Sequence, residues 1–189
     1  MRVIAGSARG RRLTAFKGHN VRPTPDRVRE ALFSILQSKL GSFLELDVLD
    51  LFSGSGALAI EALSRGAASA CMVEKSPGSA TIIRENLGLC QLSAKAELIV
   101  RDAWQALHDF PRGSFDLIFI DPPYGHDFAE RALVEIDKLG LLSEDGILCA
   151  ETGKGETLPQ SVGQLQCIDQ RRYGTIMINF YGHLEEGLT

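Results

Sequence analysis

No stretch of this chain approaches the ~20 consecutive apolar residues that a membrane-spanning helix requires, and the opening Met1-Arg2-Val3-Ile4-Ala5-Gly6 is too polar for a secretory leader. Cysteine is scarce. Cys71, Cys90, Cys149 and Cys167 show no Cys-x-x-Cys spacing, so neither a disulfide framework nor a metal site is indicated. Cys71 and Cys149 fall inside apolar runs, where reduced thiols pack as small hydrophobes. Internal repeats and low-complexity tracts are absent, which excludes solenoids and disordered arrays. An overall basic excess is also missing, since the net charge is −4. What remains is a cytoplasmic protein without a metal. Its 189 residues, 44% of them apolar, are enough for one domain with a sizeable core.

The charge is unevenly spread. Residues 1–30 hold eight basic side chains (Arg2, Arg9, Arg11, Arg12, Lys17, Arg22, Arg27, Arg29) against Asp26 and Glu30. The rest of the chain is therefore strongly acidic. A basic arm on an acidic body points to a polyanionic partner, although a solvated charged face would look the same. Within residues 1–20, Arg2-Val3-Ile4-Ala5 and Arg12-Leu13-Thr14-Ala15-Phe16 are spaced to pair across Gly6-Ser7-Ala8-Arg9-Gly10 as a basic hairpin extension. Residues 21–189 form the main domain.

That domain opens with Arg22-Pro23-Thr24-Pro25-Asp26. Thr24 suits an N-cap and Pro25 the first helical position. Val28, Ala31, Leu32, Ile35, Leu36 and Leu40 then recur at helical spacing. Beyond it, apolar strands alternate with helices. Strands are expected at Leu46–Phe52, Ala68–Glu74, Ala96–Val100, Phe115–Ile120 and Gly146–Glu151, and helices at Ala57–Arg65, Pro77–Leu89 and Phe128–Leu139. Leu165–Arg171 and Thr175–Tyr181 form a closing hairpin that puts an antiparallel strand into a mostly parallel, doubly wound α/β sheet.

The chain is organised around Val48-Leu49-Asp50-Leu51-Phe52-Ser53-Gly54-Ser55-Gly56-Ala57-Leu58. Strand, glycine turn and helix are the opening of a nucleotide-type binding unit. Gly54 and Gly56 let the backbone turn sharply and lie close to a ligand. A dinucleotide reading fills G-x-G-x-x-A with Gly54, Gly56 and Ala59 and needs a phosphate on the helix N-terminus. An S-adenosylmethionine reading needs instead an acid, Asp50, for an ammonium group. Glu74, 18 residues past Gly56, suits ribose hydroxyls in either case. Asp102 suits an adenine amino group or an N-cap over Ala103-Trp104-Gln105, and one carboxylate can serve both. Gly56→Val is expected to block the ligand and spare the fold.

Asp121-Pro122-Pro123-Tyr124 ends the fourth strand. Two prolines fix φ and remove two backbone donors, leaving a rigid corner rich in acceptors beside one flat aromatic face. Such a corner suits a planar ring with an exocyclic amino group, held for attack on a sulfonium methyl by positioning and electrostatics. A base enters it only after leaving its stack. An NAD enzyme has no use for this corner, which favours S-adenosylmethionine.

Arg22-Pro-Thr-Pro-Asp-Arg-Val-Arg-Glu-Ala-Leu-Phe33, then Asp50-Leu-Phe-Ser-Gly-Ser-Gly56, then Asp121-Pro-Pro-Tyr124, with Arg2-Val-Ile-Ala-Gly6 at the start, resemble the bacterial small-subunit ribosomal RNA guanine-N2 methyltransferase family. The resemblance covers nearly the whole chain and implies a Rossmann-like, S-adenosylmethionine-dependent fold with a seven-stranded sheet. It implies transfer to the N2 amine of one guanine of 16S RNA in an assembling 30S particle, with or without bound ribosomal proteins, by a monomer that uses no metal and leaves S-adenosylhomocysteine. By the same resemblance the cofactor residues are Arg22, Thr24, Asp50, Phe52, Gly54, Ser55, Gly56, Glu74, Lys75, Asp102, Ala103 and Asp121. The catalytic residues are Asp121, Pro122, Pro123 and Tyr124, and the RNA contacts Arg9, Arg11, Arg12, Lys17, Arg22, Arg27 and Tyr124. Asp-Pro-Pro-Tyr alone would also admit adenine-N6 and glutamine-amide methyltransferases. A non-catalytic nucleotide-binding module or an NAD oxidoreductase is the reading from another class.

Overall fold

The computed structural model describes residues 1–15, 25–123 and 127–183. In chain order the elements are α1 (Asp26–Leu40), β1 (Asp47–Asp50), α2 (Ala57–Ser64), β2 (Ser69–Val73), α3 (Pro77–Cys90), β3 (Ala96–Ile99), α4 (Ala103–Ala106), β4 (Phe115–Ile120), α5 (Phe128–Leu139), β5 (Leu142–Thr152), β6 (Ser161–Val162), β7 (Leu165–Tyr173) and β8 (Ile176–His183). They build one sheet of eight strands in the order β3-β2-β1-β4-β5-β8-β7-β6. The first five are parallel, and β8 inserts antiparallel against β5. The count exceeds the expected seven because two residues after β5, Ser161 and Val162, pair with β7. The fifth strand also starts earlier than its apolar run suggests. Leu142 pairs with Phe115 ahead of a register shift in β4.

The chain order reverses between β1 and β4, which lie side by side. Outside the C-terminal ends of those two strands the crossovers diverge, leaving the crevice where open α/β sheets bind ligands. One sheet face packs on α1, α2 and α3 through Val48, Met72, Leu117 and Phe119. The other packs on α4 and α5 through Leu49, Cys71, Ile118 and Ile120. Cys71, Cys90 and Cys149 are buried free thiols, and Cys167 is partly buried. Among the described residues no helix is long and apolar enough to cross a membrane.

Two local expectations change. Helix α1 begins at Asp26, with Pro25 in the N-cap position and no side-chain cap. Its buried stripe is Val28, Arg29, Leu32, Phe33 and Leu36, rotated from the predicted one. The aromatic contacts explain the rotation, since Phe33 packs at 5.6 Å on Phe43 and 5.8 Å on Phe119. The N-terminal pairing is shorter than expected: residues 1–3 and 10–13 join through the antiparallel bridge of Arg2 with Arg12 and through Val3 N–H to Arg11 O at 2.9 Å, Gly10 N–H to Val3 O at 2.9 Å and Leu13 N–H to Met1 O at 3.1 Å. Four backbone donors between them go to α2 instead. Ile4 and Ala5 N–H donate to the buried Glu61 carboxylate at 2.7 and 3.0 Å, Ser7 N–H to Ser64 O at 2.8 Å, and Ala8 N–H to Ser64 Oγ at 2.9 Å. A Cβ on Gly6 would lie 1.7 Å from Ser64 O, so only glycine allows this approach. Val3, Ala8 and Leu13 thereby join the main core.

Candidate functional site

Strand β1 ends in Asp50, which is 1% exposed. Its Oδ2 accepts from Ala59 N–H at 3.3 Å, in the first turn of α2. The turn between them is tight. Ser53 Oγ donates to Asp50 O at 2.7 Å, Gly56 N–H to Ser53 O at 2.6 Å, and Ser53 N–H to Val73 O at 3.0 Å. Gly54 and Gly56 both have positive φ, 56° and 78°. Their surroundings differ. A Cβ on Gly54 would meet nothing nearer than Phe52 O at 4.0 Å, whereas one on Gly56 would lie 2.5 Å from Met72 Cε and 3.4 Å from Ile60 Cδ1. Gly56 thus serves packing as well as the turn, and the expectation that Gly56→Val spares the fold is corrected. The open side of the cradle is at Gly54.

Glu74, just past β2, closes the loop from the other side. Its two carboxylate oxygens accept from Gly54 N–H at 2.9 Å and Ser76 N–H at 2.8 Å. A carboxylate has about four acceptor positions, so it can take two ribose hydroxyls as well. Asp102 caps α4, accepting from Trp104 N–H at 3.0 Å, with Ala103 buried behind it. Phe52, Trp104 and Phe128 form an edge-to-face row at 5.9 and 5.8 Å, with the Arg131 guanidinium 3.9 Å over the indole. Lys75 is exposed.

The acids set the electrostatics. Burial raises the Asp50 carboxyl from 3.8 to about 7; the Ala59 N–H opposes the shift and Glu74 adds to it. Burial also holds Asp121 well above the carboxylate range, helped by Glu151 and then Asp50. The register explains this grouping. Ile120 pairs with Ala150, so Asp121 and Glu151 follow side by side at the ends of β4 and β5. A dinucleotide phosphate fits poorly here, because Asp50 already occupies the start of α2 where the pyrophosphate would sit. An ammonium at Asp50, a diol at Glu74 and an adenine beside Asp102 and Ala103 match the donors and acceptors present. Among the described residues no group of three or more His, Cys, Asp or Glu could hold a metal.

Past Asp121, Pro122 and Pro123 open onto a cleft of about 280 Å³, also lined by Phe128, Thr152, Glu156 and Thr157. The sequence-predicted residues Asp50, Phe52, Gly54, Ser55, Gly56, Glu74, Asp102, Ala103, Asp121, Pro122 and Pro123 lie along the turn, strand ends and cleft just described. Arg9, Arg11, Arg12 and Arg27 are exposed. Lys17, Arg22, Thr24 and Tyr124 lie outside the described residues.

Several site residues escape the sequence reading. Glu151 carries the same signal as Asp50, Glu74 and Asp121, an acid closing an apolar strand, and could have been found by it. Asn86 gives no such signal. It is fully buried. Its Oδ1 accepts from Thr14 N–H at 2.8 Å, and its Nδ2 donates to Thr14 O and Ser55 O, both at 2.9 Å. One amide therefore ties the basic arm to the glycine turn.

A family model described as "Conserved hypothetical protein 95" matches residues 1–182. Ribosomal RNA small subunit methyltransferase D of Haemophilus influenzae is 34% identical over 161 residues, 84% of this chain and 81% of that protein. The protein of the same name from Escherichia coli strain K12 is 29% identical over 188 residues, 99% of this chain and 92% of that one. A solved Streptococcus pyogenes structure described as a conserved hypothetical protein superposes with TM-score 0.76 at 32% identity, covering 85% of this chain and 98% of that one. With the glycine turn, the strand-ending acids and the Asp-Pro-Pro corner arranged at one switch point, the chain belongs to this family of Rossmann-like methyltransferases, that of the small-subunit ribosomal RNA methyltransferases D.

Proposed function

We propose that this protein transfers a methyl group from S-adenosylmethionine to the exocyclic N2 amine of a guanine in 16S ribosomal RNA, within the 30S subunit or an intermediate of its assembly. One observation carries the reading. The Asp121-Pro122-Pro123 corner has the crevice of Asp50, Gly54 and Glu74 on one side and a base-sized cleft on the other. When bound, S-adenosylmethionine supplies an electrophilic methyl, its C–S electron pair returning to sulfur as the amine lone pair forms the N–C bond.

The protein's own groups position and stabilise. Asp50 faces the cofactor's ammonium, Glu74 its ribose hydroxyls, and Asp102 with Ala103 its adenine. Asp121 and the Pro122 carbonyl accept the two N–H bonds of the target amine, which orients its nitrogen and favours a localised lone pair. Positive charge develops on that nitrogen, and the carboxylate beside it is stabilising. Because burial, Glu151 and Asp50 raise its proton affinity, Asp121 is also suited to receive the proton shed by the cationic product amine. The exposed Arg9, Arg11, Arg12 and Arg27, with Lys17 and Arg22, hold RNA phosphates, and Tyr124 stacks on the extruded base. The protein acts as a cytoplasmic monomer.

The deciding experiment supplies labelled cofactor with 30S subunits, free 16S RNA or duplex DNA and identifies the methylated nucleoside. N2-methylguanosine from RNA or subunits is expected. N6-methyladenine, or transfer to DNA alone, would overturn the reading.

A further inference from the structure

The cleft beyond Pro122 and Pro123 has a chemical character of its own. Its described charged lining residues are Asp127, Glu130 and Glu156, with no lysine or arginine among them. An acidic cleft on an RNA-binding protein repels phosphate and favours a ligand edge rich in N–H donors. At about 280 Å³ it is smaller than most ligand sites, which run from ~300 Å³ upward, and it suits one planar base.

Glu156 is the acid held in place there. Its Oε2 accepts from Gly153 N–H at 2.9 Å, and its own N–H donates to Gly153 O at 3.3 Å. Gly155, at φ 89°, allows this closed turn directly after β5. Strand β5 lies beside β4 in parallel, so the turn and the Asp121-Pro122-Pro123 corner emerge from the same end of the sheet. Pro122 and Pro123 of the corner line the same cleft as Gly155 and Glu156 of the turn.

The four bases differ at the ring atom beside the exocyclic amine. Guanine has N1–H next to its N2 amine. Adenine and cytosine each have a ring nitrogen with a lone pair next to theirs, and uracil has no amine. A carboxylate adjoining the amine-holding corner therefore accepts a hydrogen bond from guanine N1–H and faces a lone pair in adenine or cytosine. Burying that lone pair against a charged acceptor leaves both unpaired, a costly arrangement. We propose that Glu156 accepts the N1–H of the target base and selects guanine over adenine at this site. The inference rests on the guanine-N2 reading above and names the residue that enforces it.

The test uses Glu156→Gln with RNA carrying either guanine or 2-aminopurine, placed by ligation at the methylated position in reconstituted subunits. 2-Aminopurine keeps the N2 amine but has a lone pair at N1. The wild type should prefer guanine in kcat/KM by roughly ten- to hundredfold, the range for a hydrogen bond to a charged group. Glutamine still accepts from Gly153, and its amide can turn to donate to a bare N1. Glu156→Gln should therefore lose rate on guanine, gain rate on 2-aminopurine and shrink the preference to a few fold. Its affinity for S-adenosylhomocysteine should match the wild type, which reports an intact fold. An unchanged preference in Glu156→Gln, with N2-methylguanosine still formed by the wild type, would overturn the role of Glu156 alone. Failure of the wild type to form N2-methylguanosine would overturn the function and this inference together.

Discussion

Asp50 links ligand binding to pH in a direction that can be worked out beforehand. Its carboxyl is raised from 3.8 to about 7, chiefly by burial. At about 1.4 kcal/mol per tenfold change in proton affinity, this amounts to roughly 4 kcal/mol. The native state binds the proton more tightly than the unfolded chain. Asp50's contribution is thus fully present below the unfolded pKa and is lost as pH rises through about 7. About half of it, roughly 2 kcal/mol, falls between pH 5.5 and 8. Asp50→Asn removes this loss, so without ligand the variant should gain about 2 kcal/mol on the wild type across that interval, read from urea denaturation at both pH values. Ligand binding runs the other way. Under the proposed role of Asp50 the cofactor's ammonium needs the carboxylate, so affinity for S-adenosylhomocysteine should rise up to tenfold per pH unit toward about 7 and then level. In Asp50→Asn it should be weak and flat. A wild-type affinity independent of pH between 5.5 and 7, or the same slope in the variant, would refute the assignment of the ammonium to Asp50.

The two glycines of the turn should separate by assay. Gly54→Ala should lose cofactor affinity in calorimetry with a stability cost of about 1–2 kcal/mol for a side chain at positive φ, while Gly56→Val should lose stability outright in thermal melts because Met72 and Ile60 crowd its Cβ. Asp121→Ala should slow single-turnover methylation by orders of magnitude and change S-adenosylhomocysteine affinity little; a near wild-type rate would place the chemistry elsewhere. Reversing Arg9, Arg11 and Arg12 to Glu should weaken RNA binding and lower the log–log salt slope by roughly 2–3, at ~0.7–0.9 per phosphate contact. An unaltered slope in anisotropy titrations would mean these side chains only face solvent.

Much of the fold is local and hence legible. The apolar runs at Phe115–Ile120 and Ser69–Val73, the glycine turn after Asp50 and the helical spacing of Phe128–Leu139 each carry their own signal. The illegible parts depend on partners far along the chain. The arm pairs only between residues 1–3 and 10–13, because Glu61 and Ser64 take the donors of Ile4, Ala5 and Ala8 from 56 or 57 residues away. The stripe on α1 follows rings at Phe43 and Phe119 that no helical period encodes. The site divides in the same way. Asp50, Glu74 and Asp121 announce themselves as acids at strand ends, whereas Asn86 and Glu156 acquire meaning only when the sheet brings separate loops together.

The Asn86 amide has a consequence for how the chain is made. Thr14 cannot reach its partner until residue 86, 72 positions later, has been synthesised. At ~5–20 residues per second of translation, this is a delay of roughly 4 to 14 seconds. Throughout it, Thr14, in the chain's most basic segment, lacks its partner. Glu61 and Asn86 end that interval by holding the segment's backbone against the body, with Arg9, Arg11 and Arg12 left exposed.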